Sequence, residues 1–357
     1  MSTRKGIIHV VQRMAPGGIE LMVRDLATQL PGENRIFSLE GNRKQIIGSW
    51  PALEPYAKQI RGFSKRAGFD ISVLLSLRST FKQLKPHAVI THHIGPLIYG
   101  GIAARLAQVP VIAHVEHDVW HYSQPRRRLL TKMVCSMVRP RIVGVSMTAA
   151  DTLAALTGAK DVRIISNGVD TKRFTPENKA DARQRWGLPV NALVVGCVGR
   201  LEWIKGQDIL LEAMKMMPQS VICVFVGAGS QMDALKNKAK ALGIENRAYF
   251  LGNVADTALT YSAFDVFCLP SRAEGLPLAV LEAQSCGVPV VATDVGSVRD
   301  AVCPDIGHVV DAEDPGELAH ALIDILRKRD QASPRAFVSE NFNWMDTLAA
   351  YNNLLKA

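Results

Sequence analysis

The segment at residues 271–289 constrains the fold more than any other stretch of the sequence. It reads SRAEGLPLAVLEAQSCGVP and lies between two short apolar runs, VFCLP before it and VPVVATD after it. Apolar runs on either side of a helical stretch predict two buried strands joined by a crossover helix. Because ligands bind at the carboxyl ends of strands in such folds, the loop that begins at Ser271 is predicted to lie at a binding site.

The start of this predicted helix carries polar groups that suit a charged or hydroxyl-rich ligand. Gly275 permits a tight turn and Pro277 suits the first helical turn, so free N–H groups would point at the loop and could hold a phosphate or a sugar hydroxyl. Glu274 and Glu282 supply carboxylate acceptors on either side of the helix start. The residues alone also allow a simpler interpretation, with Glu274 as a helix-start acid and Glu282 as a solvated surface residue.

Strand-like and helix-like segments alternate along the rest of the chain. Examples are GIIHVV, LMVRDLATQL, HAVITHH, LVVGCVGRL and DVFCLP. Such alternation predicts an α/β protein with parallel sheets of the Rossmann type. A length of 357 residues exceeds one typical core and fits two domains.

Composition excludes several other classes of protein. The chain is 48% hydrophobic and 21% charged, as in an ordinary globular protein, and no apolar run approaches the ~18 residues of a membrane helix. GIIHVV is too short for the apolar region of a signal peptide, so we expect a cytoplasmic location. The six cysteines lie far apart without a CxxC pair, which predicts reduced core residues and no disulfide framework or zinc site.

Charge is distributed unevenly between the two halves. Residues 1–175 carry 25 Lys and Arg against 11 Asp and Glu, a net charge of +14, whereas residues 176–357 carry a net charge of −5. The basic half suits an anionic membrane surface or a phosphate-bearing acceptor, although a basic face that only aids solubility is also possible. Nucleic acid is not an expected partner, since the basic residues form no recognisable reader motif.

Two further strand-end loops carry residues suited to phosphate. Gly17 and Gly18 follow the strand GIIHVV, where a missing side chain lets phosphate or an acceptor approach the backbone. Arg200 ends the strand LVVGCVGRL and Lys205 follows five residues later, which suits a diphosphate. Taken alone, these residues also fit a simple tight turn and two exposed cations.

The segment HVEHDVWHYS places His114, His117 and His121 at the end of another predicted strand. Zinc is disfavoured because alternate strand residues point to opposite faces and no acid or cysteine completes a plausible set of zinc ligands. An imidazole at this position could instead hydrogen-bond a sugar or position an acceptor. The next segment, PRRRLLTKMVCSMVRPR, predicts a helix that either lies on a membrane surface or packs its apolar face on the core.

Five motifs together resemble the retaining nucleotide-sugar glycosyltransferases of family four, of the surface-polysaccharide type, which have the GT-B fold. In chain order they are GGIE, EHD, SNGVD, GRL with KG, and the segment from Glu274 to Glu282. SNGVD departs from the family's PNGVD only by Ser166. The resemblance covers nearly the whole chain.

The resemblance implies a role for each candidate residue. It assigns Arg200 and Lys205 to the donor diphosphate, Glu274 and His117 to the transferred sugar, and Glu282 to the ribose of the nucleotide. His114 remains an alternative to His117. The substrate-binding set is then Gly17, Gly18, Arg200, Lys205, Glu274, Gly275, Leu276 and Glu282.

The expected architecture is two Rossmann-like domains facing across a cleft, with a closing motion about a hinge near residues 166–175. Residues 1–173, joined by a C-terminal helix at 342–357, would form the acceptor domain, and residues 174–341 the domain that binds the donor nucleotide. The expected activity is transfer of a sugar, with retention, from a nucleotide sugar to a polyprenyl-diphosphate-linked glycan acceptor in polysaccharide biosynthesis.

We expect no metal and no cofactor besides the donor substrate, because no DxD-type pair stands at a strand end and GAGSQM lacks the third glycine of a dinucleotide site. A nucleotide-sugar epimerase of the same fold and a non-catalytic carbohydrate-binding protein are the alternatives.

Overall fold

The structure is a computed structural model that describes residues 6–254, 257–328 and 333–356. The chain divides into two units. Unit 1 comprises the described residues up to Ser166 together with those from Thr347 onward, and unit 2 comprises Asn167–Asp346. The expected domain limits at residues 173 and 341 stay predictions.

Unit 1 is built on a parallel sheet of seven strands. In chain order the strands are β1 (Ile7–Val11), β2 (Arg35–Ser38), β3 (Ile60–Gly62), β4 (Ala88–His92), β5 (Val111–Glu116), β6 (Arg141–Gly144) and β7 (Val162–Ile164). Their order across the sheet is β3-β2-β1-β4-β5-β6-β7. The chain reverses its direction of travel across the sheet between β1 and β4, which makes that position the topological switch point.

Helices cover both faces of this sheet. They are α1 (Gly18–Gln29), α2 (Arg43–Ser49), α3 (Ile71–Leu84), α4 (Ile94–Pro96), α5 (Ile102–Leu106), α6 (Pro125–Val138) and α7 (Met147–Thr157), with a π-helical segment at Leu97–Gly101 and 3₁₀ segments at Pro51–Gln59 and Trp120–Ser123. One apolar cluster joins Val10 and Phe37 of the sheet to Phe81 of α3. A second joins Val11 and Ile36 to the other face.

The polar and irregular sequence of residues 35–72 predicts little beyond connecting loops and a short strand, but the structure is more ordered than that. Asn42 and Gln45 form a capping box that starts α2, because each side chain accepts a hydrogen bond from the other's backbone N–H. The short strand β3 then adds to the edge of the sheet beside β2.

Unit 2 repeats the same architecture with six parallel strands. They are β8 (Leu193–Val198), β9 (Val221–Val226), β10 (Ala248–Gly252), β11 (Val266–Leu269), β12 (Val290–Thr293) and β13 (His308–Val310). The order β10-β9-β8-β11-β12-β13 puts the switch point between β8 and β11. Both runs that flank residues 271–289 are buried strands, as predicted, and Phe267 and Val290 pair in register.

Nine helices are assigned in the chain from Asn167 onward, within the described residues, and most of them cover the second sheet. They are α8 (Lys179–Arg185), α9 (Gln207–Met216), α10 (Met232–Ala241), α11 (Ala258–Ser262), α12 (Leu278–Ser285), α13 (Val298–Ala301), α14 (Pro315–Arg327), α15 (Arg335–Asn341) and α16 (Trp344–Leu354), the last of which continues into unit 1. Short 3₁₀ segments lie at Trp203–Lys205 and Glu245–Arg247.

The sequence around helix α8, PENKADARQRWGLP, is polar and predicts a linker, and the structure corrects this prediction. Asn178 caps the helix by accepting hydrogen bonds from the backbone N–H groups of Ala180 and Asp181. The side chain of Arg183 is buried and its Nη2 lies 2.7 Å from Asp265 Oδ2. A cap and a partly buried ion pair therefore hold a helix that hydrophobic periodicity does not reveal.

The α/β architecture with two Rossmann-like units agrees with the sequence prediction. None of the helices in the described part of the chain has the length and apolarity that crossing a membrane requires.

Candidate active site

The switch point of unit 2 brings together two loops that were singled out in the sequence. Residues 199–205 follow β8, and residues 270–277 follow the neighbouring strand β11. Because β8 and β11 are adjacent and parallel, their carboxyl ends open at the same edge of the sheet. The two loops are separated by some 70 residues of sequence, and the strand order alone places them side by side.

Lys205 and Glu274 form an ion pair across these loops. The Nζ of Lys205 lies 2.6 Å from Glu274 Oε1, and the Oγ of Ser271 donates to the same oxygen at 2.6 Å. The side chain of Lys205 is 24% exposed and that of Glu274 is 8% exposed. Among the described residues Glu274 Oε2 has no hydrogen-bond partner, so this carboxylate keeps an oriented acceptor.

Glycines let the backbone pass closely at this edge. Gly206 has a φ of +65°, and a Cβ there would lie 1.9 Å from the carbonyl oxygen of Pro270. Gly296 has a φ of +59°, and a Cβ there would lie 2.0 Å from the carbonyl oxygen of Glu274. Both positions combine a left-handed backbone with direct backbone contact, so a side chain at either would displace the loop that holds Glu274.

Arg200 lies at the end of the strand β8 in an exposed position. Its backbone carbonyl accepts a hydrogen bond of 2.9 Å from the buried Gln207 Nε2. Its guanidinium has no ion-pair partner in the part of the chain that the structure describes. The structure thus fixes the backbone of Arg200 and leaves its charge available to an anion.

Glu282 is the fifth residue of α12. The hydroxyl of Tyr261 donates to Glu282 Oε2 at 2.7 Å. Burial is the main cause that raises the pKa of Tyr261 well above its usual value, and the neighbouring Glu282 carboxylate raises it further. The phenol therefore stays protonated and remains a hydrogen-bond donor.

Gly275 and Leu276 form the turn before α12. The carbonyl oxygen of Gly275 accepts a hydrogen bond from the Ser297 N–H at 3.1 Å, and that of Leu276 accepts one from Asn167 Nδ2 at 3.1 Å. The helix begins at Leu278, with Pro277 as its N-cap. Partners on both sides therefore fix the backbone between Glu274 and the helix.

In unit 1, Gly17 and Gly18 lie where the sequence predicted, at the turn from β1 into α1. Gly17 is the N-cap and α1 begins at Gly18, with Glu20 in the first turn. This turn follows β1 and therefore lies at the switch point of the first sheet. It gives backbone N–H groups at a helix start, which is a common anion-binding arrangement.

His117 and His114 are both buried in unit 1. His117 Nε2 lies 3.0 Å from His92 Nδ1, and His92 Nε2 lies 3.2 Å from His9 Nδ1. His114 Nδ1 instead contacts the hydroxyl of Thr91 at 3.1 Å. Six of the nine histidines in the chain thus collect near the ends of β1, β4 and β5, namely His9, His92, His93, His114, His117 and His121.

Two acidic residues balance the charge in this cluster. Glu116 Oε1 pairs with His93 Nδ1 at 2.5 Å, and Asp118 Oδ1 pairs with His121 Nδ1 at 2.9 Å. Burial alone would raise the pKa of Glu116, but the charge of His93 and hydrogen bonding to His121 and His93 hold it well below its usual value. Burial likewise opposes protonation of His121, but Asp118 and Glu116 raise its pKa to about 9.

Within residues 6–254, 257–328 and 333–356, no group of three or more His, Cys, Asp or Glu side chains is arranged to hold a metal ion. The histidine cluster is therefore organised by hydrogen bonds and ion pairs among its own members.

Sequence reasoning missed four residues that support these sites. They are His9, His92, Ser271 and Tyr261. A signal for His92 was present, since HAVITHH ends a strand next to the strand that precedes His117. No comparable signal marks Tyr261, because its contact with Glu282 depends on how α11 packs on α12.

Two family descriptions match consecutive parts of the chain. Residues 16–173 match Glycosyltransferase Family 4, and residues 178–343 match Glycosyl transferases group 1. The chain is 34% identical over 348 residues to the D-inositol 3-phosphate glycosyltransferase of Acidothermus cellulolyticus, covering 88% of this chain and 76% of that protein. It is 31% identical over 280 residues to the UDP-Gal:alpha-D-GlcNAc-diphosphoundecaprenol alpha-1,3-galactosyltransferase of Escherichia coli, covering 72% of this chain and 70% of that protein.

The fold is shared with a solved structure. The Anabaena protein HepE, in complex with UDP and glucose, superposes with a TM-score of 0.86 at 22% identity, covering 98% of this chain and 99% of that one. This likeness confirms the predicted fold, and the sequence relatives confirm the predicted family. The chain therefore belongs to glycosyltransferase family 4 and has the GT-B fold.

Proposed function

We propose that this protein is a retaining hexosyltransferase that moves a sugar from a nucleoside diphosphate sugar to a polyprenyl-diphosphate-linked glycan acceptor in polysaccharide biosynthesis. The observation that carries the proposal is the Lys205–Glu274 pair at the switch point of unit 2, beside the unpaired charge of Arg200. This arrangement offers cations for a diphosphate and an oriented carboxylate for sugar hydroxyls at one sheet edge.

The reaction breaks the bond between the anomeric carbon and the diphosphate oxygen and forms a bond to the acceptor hydroxyl on the same face of the sugar. Arg200 and Lys205 offset the negative charge that develops on the leaving diphosphate. A phosphate oxygen of the leaving group takes the proton of the acceptor hydroxyl. Glu274 Oε2 and His117 hold the sugar, Glu282 binds the ribose, and Gly17 and Gly18 admit the acceptor.

The names of two comparison proteins support the substrate classes. The Escherichia coli relative is named for a UDP-galactose donor and a diphosphoundecaprenol-linked acceptor. HepE was solved with UDP and glucose. A UDP-hexose and a lipid-linked sugar are accordingly the first substrates to test.

A donor screen tests the proposal. The purified protein is incubated with each common nucleoside diphosphate sugar and a polyprenyl-diphosphate sugar acceptor, with and without EDTA. We expect release of a nucleoside diphosphate from one donor, persistence of the activity in EDTA, and an anomeric configuration in the product that matches the donor. An isomerised free sugar would indicate an epimerase, and donor binding without turnover would indicate a carbohydrate-binding protein.

The residues on the outer face of α6 are consistent with an acceptor that lies in a membrane. Four of its apolar side chains, Leu129, Leu130, Met133 and Met137, are between 44% and 60% exposed, while Val134, Cys135 and Val138 face the core. The same helix carries Arg126, Arg127, Arg128 and Lys132 and no acidic residue. Exposed apolar groups beside unopposed cations suit the interface of an anionic bilayer, so we place the enzyme at the cytoplasmic face of a membrane.

Replacing Leu129 and Met133 together by serine should weaken binding to vesicles that contain an anionic phospholipid by at least about tenfold, since each buried apolar side chain contributes roughly 1.5–3 kcal/mol. Cosedimentation with vesicles of rising anionic lipid content measures the effect, and binding of the unchanged protein should fall with salt. Serine at Val190 and Met216, exposed apolar residues of unit 2, is the matched control. Equal vesicle binding by the α6 variant and this control would contradict the proposal that the outer face of α6 binds the membrane.

A further inference from the structure

Three imidazoles in unit 1 form a continuous chain of hydrogen bonds. The contacts run from His9 Nδ1 to His92 Nε2 at 3.2 Å and from His92 Nδ1 to His117 Nε2 at 3.0 Å. Neighbouring rings are stacked, with centroids 5.5 Å and 5.2 Å apart. All three side chains are buried. The chain links the first strand of the sheet, the adjacent strand β4 and the end of β5.

All three rings are neutral at physiological pH. Burial lowers the pKa of His9 to about 3. Burial is the main cause, and the charge of neighbouring histidines a further cause, that lowers the pKa of His92 and of His117 well below the usual value. A neutral imidazole has one N–H donor and one acceptor nitrogen. Each ring in the chain therefore donates from one nitrogen only.

This restriction leaves two ways of placing the ring protons that keep both hydrogen bonds among the three imidazoles. In one, every ring carries its proton on Nδ1, so that His9 donates to His92, His92 donates to His117, and His117 Nδ1 is a free donor. In the other, every ring carries its proton on Nε2, the hydrogen bonds reverse, and His117 Nδ1 is a free acceptor. Mixed arrangements break at least one hydrogen bond between buried groups, which costs roughly 1–3 kcal/mol.

Nothing else in the described structure fixes these tautomers. Glu116 is paired with His93 and accepts a hydrogen bond from Tyr122, and Asp118 is paired with His121. No carboxylate or carbonyl oxygen of the described residues is hydrogen bonded to a ring nitrogen of His9, His92 or His117. The two ends of the chain, His9 Nε2 and His117 Nδ1, are buried without partners.

We propose that His9 and His92 are positioning residues that hold His117 with its proton on Nδ1, so that His117 donates a hydrogen bond to the transferred sugar and does not act as a base. The inference rests on the proposed function, in which His117 contacts that sugar. The all-Nδ1 arrangement puts the free N–H on His117, the residue that the proposed function assigns to the sugar, so a bound sugar oxygen would give this buried donor its acceptor. The other end, His9 Nε2, then keeps only an unfilled lone pair, which is easier to tolerate when buried than an orphaned N–H.

This arrangement separates sugar binding from proton transfer in the proposed reaction. A donor-only His117 orients a sugar hydroxyl and leaves the acceptor's proton to the phosphate of the leaving group. His92 acts only through His117, and His9 acts only through His92.

Side-chain nitrogen NMR of the full-length protein, labelled with ¹⁵N-histidine, tests the inference without requiring turnover. In the wild type we expect His9, His92 and His117 to share one tautomer, and with a nucleotide sugar bound we expect it to be the Nδ1–H form. His92→Phe keeps a stacked ring but removes both hydrogen bonds, so His117 should lose its single tautomer. His92→Gln can still accept from His9 and donate to His117, and it should restore the Nδ1–H form.

Kinetics provide a second readout. His92→Phe should lower kcat/KM for the donor about tenfold, the size of one lost hydrogen bond, while the affinity for the nucleoside diphosphate alone changes less than about twofold. His92→Gln should recover most of the loss. Different tautomers in the three wild-type rings, or an unchanged His117 in His92→Phe, would overturn the inference even if the enzyme is active. A shared tautomer in a protein that turns over no nucleotide sugar would instead leave the chain of imidazoles intact and refute the proposed function.

Discussion

Replacing Lys205 by methionine is expected to lower kcat for sugar transfer about 100-fold to 1000-fold, the loss typical of removing one group that stabilises developing charge. Methionine has a similar length and no charge, so the substitution removes the cation and keeps much of the volume. Lys205 Nζ lies 2.6 Å from Glu274, which sets its position before substrate arrives. Preorganised charge of this kind costs no rearrangement when the diphosphate leaves.

The measurement is steady-state release of the nucleoside diphosphate, with donor affinity determined separately. Because the lysine opposes charge that grows in the transition state, kcat should fall more than donor affinity. Lys215→Met, at an exposed position on α9, is the matched control and should retain wild-type kcat. A fall in donor affinity alone, with kcat unchanged, would show that Lys205 only binds the ground state.

Stability must be separated from catalysis in this experiment. Removing Lys205 leaves the carboxylate of Glu274, only 8% exposed, with Ser271 as its remaining partner, and an uncompensated buried charge destabilises the fold. The double variant Lys205→Met with Glu274→Gln removes both charges together. It should unfold closer to the wild-type temperature than Lys205→Met does and remain as inactive.

The loops of this site could be predicted from the sequence because their positions follow from topology. Arg200, Lys205 and Glu274 lie in loops that follow apolar runs, and parallel strands bring such loops to one sheet edge. The pairing of Lys205 with Glu274 could not be predicted in the same way. It depends on β8 and β11 being neighbours, and many strand orders are compatible with the same alternation of strands and helices.

The histidine cluster shows a second limit. His117 was singled out because it follows a strand, but its partners belong to strands, His9 within β1 and His92 as the last residue of β4, and strand side chains are ordinarily interpreted as core. Their hydrogen bonds depend on the register between β1 and β4, in which His9 lies opposite Ile90. A shift of one residue would turn these side chains to the other face of the sheet. Hydrophobic patterning does not determine register at that precision.

Helix α8 illustrates a third reason for failure. Its sequence, KADARQR, has almost no apolar residue, so periodicity predicts a linker. The helix is held by the Asn178 cap and by Arg183, which pairs with Asp265 and donates to the carbonyl oxygen of Ala263 at 3.0 Å. A polar segment can therefore be ordered by long-range partners that only the folded structure brings near.

Acid should destabilise unit 1 steeply, because four of its histidines are buried as neutral groups. Burial lowers the pKa of His9 to about 3 and that of His114 to about 4, and the pKa values of His92 and His117 lie well below the usual 6.5. In the unfolded chain each would take up a proton near pH 6.5. A group with a lowered pKa of this kind stabilises the fold above its unfolded pKa and loses that contribution as pH falls.

Each such histidine reduces the free energy of unfolding by ~1.4 kcal/mol for every pH unit below about 6, until the pH reaches its folded pKa. Four together would remove roughly 5 kcal/mol per unit, which is comparable with the whole stability of a typical domain. We therefore expect unit 1 to unfold near pH 5 or just below. Glu116, whose pKa is held low, adds a further loss only as pH falls below about 4.5.

His121 acts in the opposite direction and at higher pH. Its pKa is raised to about 9, so its stabilising charge is fully present below about pH 6.5 and is lost as the pH rises through 9. The raised pKa of His93, which is paired with Glu116, adds to the same alkaline loss. Stability should consequently peak near pH 6.5–7, between the acid loss from the neutral histidines and the alkaline loss from the charged ones.

Urea unfolding followed by circular dichroism at half-unit steps from pH 5 to pH 9 measures this profile. His9→Gln keeps a polar partner for His92 but cannot titrate, so it should reduce the acid slope by about one proton, or ~1.4 kcal/mol per pH unit. His320→Gln, at an exposed position in unit 2, is the control and should leave the slope unchanged. A free energy of unfolding that does not change between pH 6.5 and pH 5 would mean that the buried histidines take up protons in the folded protein. The inference that His9, His92 and His117 are neutral would then be wrong as well.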